Sequence, residues 1–174
     1  MPTYDASTAE CLIYSFKEGL LSRLAHDLKL RVHSLQVTLD PATPAVRVVV
    51  DTRSVKVLCI RHDGADDPRP ISAGDRSQIE KNLHEDVLAS ARYPEAVFVS
   101  TAVTASGDGF TVRGTLTLHG QTVELSAPVR REGDRYLATV NLRQRDFGIK
   151  PYSAALGALK VRDEVTVTLA VPVA

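Results

Sequence analysis

The sequence predicts an all-β chain with one helix, folded as a closed antiparallel β-barrel of about eight strands. Three observations carry that expectation: many short segments alternate apolar and polar residues, turn signals separate them, and one capped apolar stripe interrupts them. No strand-helix-strand alternation calls for a parallel sheet. Closure removes the edges of a sheet, and about eight strands leave an interior just wide enough for side chains or one small ligand.

The elements follow in order. Glu10 to Phe16 has the mixed apolar character of a first strand, and Leu20, Leu21 and Leu24 suggest one helical turn before His26. From Leu28 the alternation is strict, with Leu28, Leu30 and Val32 on one face and Lys29, Arg31 and His33 on the other. Asp40 to Pro44 turns the chain, because its two prolines fix φ and cannot donate to a ladder, and Val46 to Val50 returns it. Residues 61 to 74 hold Asp63-Gly64, Pro68, Pro70 and Gly74, a density of breakers that predicts a long irregular loop. A helix is expected from about Asp75 to Leu88, capped by Asp75, with Ser77 and Glu80 at capping-box spacing and Ile79, Leu83, Val87 and Leu88 on one face.

Strands then follow one another. Ala96 to Val103 leads to a turn at Ser106 to Gly109, Phe110 to Leu118 returns, and His119-Gly120 turns tightly. Val123, Leu125, Ala127 and Val129 alternate up to a turn at Glu132 to Asp134, and Tyr136 to Leu142 comes back. Asp146 to Arg162 is looser, and Val165, Val167, Leu169 and Val171 form the last strand, which Pro172 ends at an edge or rim.

Length and charge bound the function. The 174 residues suit a single domain that buries roughly 70% of its unfolded surface. Lysine plus arginine balances aspartate plus glutamate at 21 each, so no global field draws the chain to nucleic acid. No apolar run is long enough for a transmembrane helix and no secretory signal is visible, which makes the expected location cytoplasmic. Cys11 and Cys59 lack metal or redox spacing and read as buried, reduced thiols.

Catalytic motifs are scarce. Asp146-Phe-Gly148 lacks the other segments of a protein kinase, and no serine sits in a GxSxG elbow. His26, His33, His62, His84 and His119 have no ligand-like spacing, so no metal and no cofactor is expected, and they read as surface or turn residues. For His26 the expected role is to cap backbone groups at the start of its strand. The chain is therefore read as a binder rather than an enzyme. The alternatives are a protein-interaction module with a filled core or an enzyme acting on an apolar substrate.

Ala25-His-Asp-Leu28, Tyr93-Pro-Glu-Ala-Val-Phe98-Val-Ser100, Gly114 to Thr122, Arg145-Asp-Phe-Gly-Ile149 and Lys160 to Val165 together resemble the YceI-like family, in the same order and over most of the chain. The early segment departs from the family's more usual pattern around phenylalanine and a later histidine-glycine step. The resemblance implies a lipocalin-like eight-stranded barrel with a helix beside its mouth, and a tunnel for a polyisoprenoid or other long-chain lipid. Many members are exported, which no visible signal supports for this chain.

With the apolar stripes turned inward, the expected ligand-binding wall comprises Leu28, Leu30, Val48, Val50, Val112, Leu116, Leu118, Val140, Leu142, Val167 and Leu169. Phe98 joins them in preference to Val97 and Val99, for its bulk and on the family match, while Phe147 and Ile149 are placed at the mouth. Walls rich in Val, Leu and Ala with few aromatics fill a barrel poorly, so some interior volume is expected. A homodimer is left open.

Overall fold

A computed structural model describes residues 1–19, 26–40 and 42–173. The expected helical turn at Leu20, Leu21 and Leu24 lies outside them. In chain order the described elements are β1 (Thr3–Asp5), β2 (Glu10–Ser15), β3 (Lys17–Glu18), β4 (Asp27–Val32), β5 (Leu35–Asp40), β6 (Ala45–Asp51), β7 (Val55–His62), β8 (Ala65–Asp66) and α1 (Ala73–Asn82). There follow β9 (Glu95–Ser106), β10 (Gly109–Leu118), β11 (Gln121–Glu132), β12 (Arg135–Arg143), β13 (Ser153–Ala154), β14 (Leu159–Val161) and β15 (Glu164–Pro172).

Twelve strands form one curled antiparallel sheet in the order β1-β5-β6-β9-β10-β11-β12-β15-β2-β4-β7-β8, and β13, β14 and β3 form a small second sheet. The expected closed barrel is thus corrected to an open, half-barrel sheet whose ends, β1 and β8, do not pair. The cause is a bent hairpin. β4 and β5 are one run of chain broken at His33-Ser34, β6 and β7 another broken at Thr52 to Ser54, and each run gives one half to either end of the sheet. Side chains hold the bend: Asp51 Oδ1 accepts from Arg53 N at 2.9 Å, and Ser54 Oγ accepts from Ser34 N at 2.9 Å.

A second opening lies between β11 and β12, which pair only where Val129–Glu132 meets Arg135–Ala138. Beyond that point the strands part, and the turn Gln144–Phe147 with Ile149 fills the seam; Phe147 is 1% and Ile149 3% exposed.

Two other expectations change. The predicted irregular loop begins with a hairpin, because Asp63 and Gly64 both take positive φ and join β7 to β8. The strand β7 itself has no counterpart among the sequence expectations, since the bulge at Leu58, which faces no partner between Val57 and Cys59, breaks its alternation. The helix starts earlier than expected, at Ala73, capped by Ser72, whose Oγ accepts from Asp75 N at 3.1 Å. It gives way at Leu83–Val87 to a wider turn in which Leu88 N donates to Leu83 O at 2.8 Å.

The packed core sits at one end of the curl, around Val32, Leu35, Val37, Val55 and Val57 with Ala9 and Val171. The other end is hollow.

Candidate functional site

The hollow end holds a cavity of about 470 Å³. Alternation along β2 and into β3 turns Cys11, Ile13, Ser15 and Lys17 toward it. Of the residues expected in the wall, Leu28, Leu30, Val50, Leu116, Leu118, Leu142, Phe147, Ile149 and Val167 line it. Val48, Phe98, Val112, Val140 and Leu169 do not. Val48 pairs with Phe98, Phe98 with Leu116, and Val140 with Val167, so Val48, Phe98 and Val140 share the inner face with wall residues without lining the cavity. Strand alternation specifies the face of a residue, not its height along the curl. Val48 and Leu169 pack against the core cluster instead.

The roof is less visible in the sequence. Ile79, Leu83, Val87 and Leu88 turn their shared stripe onto the cavity, and Tyr152, Leu159 and Val161 from the strap between β12 and β15 close another side. The helix stripe has a periodic signal; the strap has none.

Helix α1 is fastened to a bare strand edge. Beside Val57 no strand among the described residues flanks β7 opposite β4, because β8 pairs with Arg61 and His62. The helix takes that place. Glu80 Oε1 accepts from Val57 N at 3.0 Å and Arg76 Nη1 donates to Val57 O. His84 does the same one step on. Its Nε2 donates to Val55 O at 2.9 Å, and its Nδ1 lies within hydrogen-bond distance of Ser90 Oγ, at 3.0 Å. His84 is therefore a half-buried fastening, not the surface or turn residue expected.

The strap is held comparably. Gln144 Nε2 donates to Arg162 O at 2.9 Å, and Arg162 N donates to Phe16 O at 2.8 Å. His119, in a left-handed turn conformation, donates through Nδ1 to Phe147 O at 3.2 Å while its ring rests 4.5 Å from that of Tyr93. One bond spans the roof, from Asn82 Nδ2 on the helix to Tyr152 Oη on the strap, at 3.1 Å.

Polar groups in the wall are largely engaged with the protein: Thr52 Oγ1 donates to Tyr93 O at 2.7 Å, and Gln144 and Asn82 are bonded as above. His26 lines the cavity and makes no backbone cap among the described residues; the cap at that point is Asp27, whose Oδ1 accepts from Lys17 N at 2.8 Å. Burial pushes the Cys11 thiol up to about 12, whereas Cys59, expected buried, is only partly so. Among the described residues no three His, Cys, Asp or Glu side chains come together as metal ligands would.

The fold is shared with solved structures. BcnA of Burkholderia cenocepacia superposes with a TM-score of 0.62 at 19% identity, covering 93% of this chain and 94% of that one. A polyisoprenoid binding domain from Saccharophagus degradans gives 0.58 at 15% identity, covering 97% and 94%. At these identities the likeness is one of fold. In sequence, protein YceI of Escherichia coli is 31% identical over 124 residues, 64% of this chain and 55% of that protein. A UPF0312 protein of Yersinia pestis is 30% identical over 123 residues, 63% and 54%. The match thus spans about half the length of these relatives. The YceI-like domain matches residues 19–173, and the chain belongs to the YceI-like family.

Proposed function

We propose that this chain binds an apolar, chain-like ligand in the cavity and carries it, and that the ligand is a polyisoprenoid or a related long-chain lipid. One observation supports this above the rest: an interior volume of about 470 Å³ walled mainly by aliphatic side chains at a place where the fold could have packed shut. The Saccharophagus degradans relative, described as a polyisoprenoid binding domain, supports the ligand class. Each methylene transferred from water contributes about 0.8 kcal/mol, so ten of them give about −8 kcal/mol, a micromolar affinity. No polar constellation is needed.

A binder rather than an enzyme fits the way Thr52, Asn82 and Gln144 spend their hydrogen bonds on the protein. Native mass spectrometry of the purified chain, with organic extraction of the same sample, tests the proposal. One lipid per chain is expected, or uptake of one after delipidation. A chain that yields no lipid and takes none up is an interaction module instead.

A further inference from the structure

We infer that the ligand is a single-chain amphiphile of about twenty heavy atoms with an anionic head, its chain in the cavity and its head at Lys17; this rests on the lipid-binding reading above. Two independent observations lead there. One is volume. An apolar cavity of about 150 Å³ holds one benzene, roughly 25 Å³ per carbon. On that scale 470 Å³ takes about nineteen heavy atoms, and a forty-carbon chain would need about 1000 Å³. The cavity floor includes Val32 and Val55, 2% and 3% exposed, which belong with the fully buried Val37 to the packed core cluster.

The other observation is charge at the rim. The stripe Cys11, Ile13, Ser15 ends in Lys17, and since Ser15 faces Leu28, the same register carried one step on sets Lys17 opposite His26. Both line the cavity. Lys160 is paired, its ammonium 3.7 Å from Glu18, and the Asp27 carboxylate is engaged by the Lys17 amide. Lys17 has no salt-bridge partner among the described residues. A cation half-buried at the end of an apolar wall favours an anion there, while a neutral prenyl chain gains nothing from it. A carboxylate or a phosphate monoester has the required charge.

The test is binding of four probes to the delipidated chain: hexadecanoate, hexadecyl phosphate, hexadecan-1-ol and a forty-carbon polyprenol. Hexadecanoate or hexadecyl phosphate should bind one per chain, whichever is tighter naming the head, and the polyprenol should bind more weakly. Lys17→Gln should weaken the tighter anion roughly fivefold and hexadecan-1-ol clearly less, with Lys17→Arg restoring the anion. A polyprenol bound one per chain as tightly as the anions overturns the length limit. An anion-to-alcohol ratio that Lys17→Gln does not alter overturns the head-group assignment. Failure of all four probes to bind overturns lipid binding itself.

Discussion

The Phe98 ring lies against Gly114 across the β9–β10 ladder, so closely that a β-carbon on residue 114 would stand 2.6 Å from Phe98 Cζ and against the Val99 carbonyl oxygen. Gly114 is thus the seat of the Phe98 ring. The bulge in β9, between the partners of Arg113 and Gly114, belongs to the same fit. Since a backbone oxygen cannot move aside as a side chain can, Gly114→Ala should cost about 1–3 kcal/mol, as an overpacked core does. Denaturant unfolding of the variant measures this. A midpoint equal to that of the parent would mean that the Phe98 ring and the Val99 carbonyl give way without cost.

Leu116 and Leu142 stand in the cavity wall, whereas Val112, 8% exposed and facing Ala127 across the ladder, stands in packed structure. Tryptophan separates the two. Leu116→Trp or Leu142→Trp should abolish uptake of a fluorescent lipid with little loss of stability, because the ring enters ligand space. Val112→Trp should instead destabilise the fold by roughly 1–3 kcal/mol. Equal destabilisation at all three positions would show the interior to be solid.

What sequence could foresee divides along physical lines. Alternation is local, so the faces of Leu28, Leu116, Leu142 and Val167 were legible, as was the helix stripe of Ile79, Leu83 and Leu88. Val48 and Leu169 obey the same period but pack against the core cluster, and Phe98 lies against Gly114, contacts that periodicity alone does not specify. The closed barrel failed for a related reason. Bends at His33-Ser34 and Thr52–Ser54 are made by short polar residues that read like any turn, while their effect is to divide two strands between the ends of the sheet. The strap carrying Tyr152 and Leu159 has no periodicity, and the bonds that hold it and the seam beside it, from Gln144 to Arg162 and from His119 to Phe147, join residues distant along the chain.

Glu80 and Ser72 make separable contributions to the helix. Ser72→Ala removes one cap and should cost about 1 kcal/mol, while Asp75→Asn, at the residue expected to be the cap, should cost less. Glu80→Ala leaves the Val57 N–H without a partner and should cost roughly 1–3 kcal/mol, with Glu80→Gln retaining most of the bond. Thermal unfolding ranks these variants. The ranking fails if Glu80→Gln is as damaging as Glu80→Ala, which would assign the effect to charge.

The Cys11 thiol supplies a pH test of the cavity wall. Its side chain lies in the apolar lining at 6% exposure, where burial, with a smaller effect from Glu10, raises its pKa from 9.0 to about 12. The unfolded chain therefore releases this proton near pH 9, while the folded chain keeps it until near pH 12. Below pH 9 both states hold the proton and the group has no effect on stability. Between about 9 and 12 the folded state binds more protons, so stability falls with rising pH, on the order of 1 kcal/mol per unit. Cys11→Ala should remove that component, giving a shallower alkaline slope in denaturant unfolding than the parent shows. At pH 8 the thiol should resist iodoacetamide in the native state, with Cys59 the faster of the two to react, since it is less buried. Identical alkaline slopes for parent and variant, together with rapid native-state alkylation at Cys11, would mean that water enters the cavity freely enough to solvate a thiolate, and a wall that wet would not retain a lipid chain.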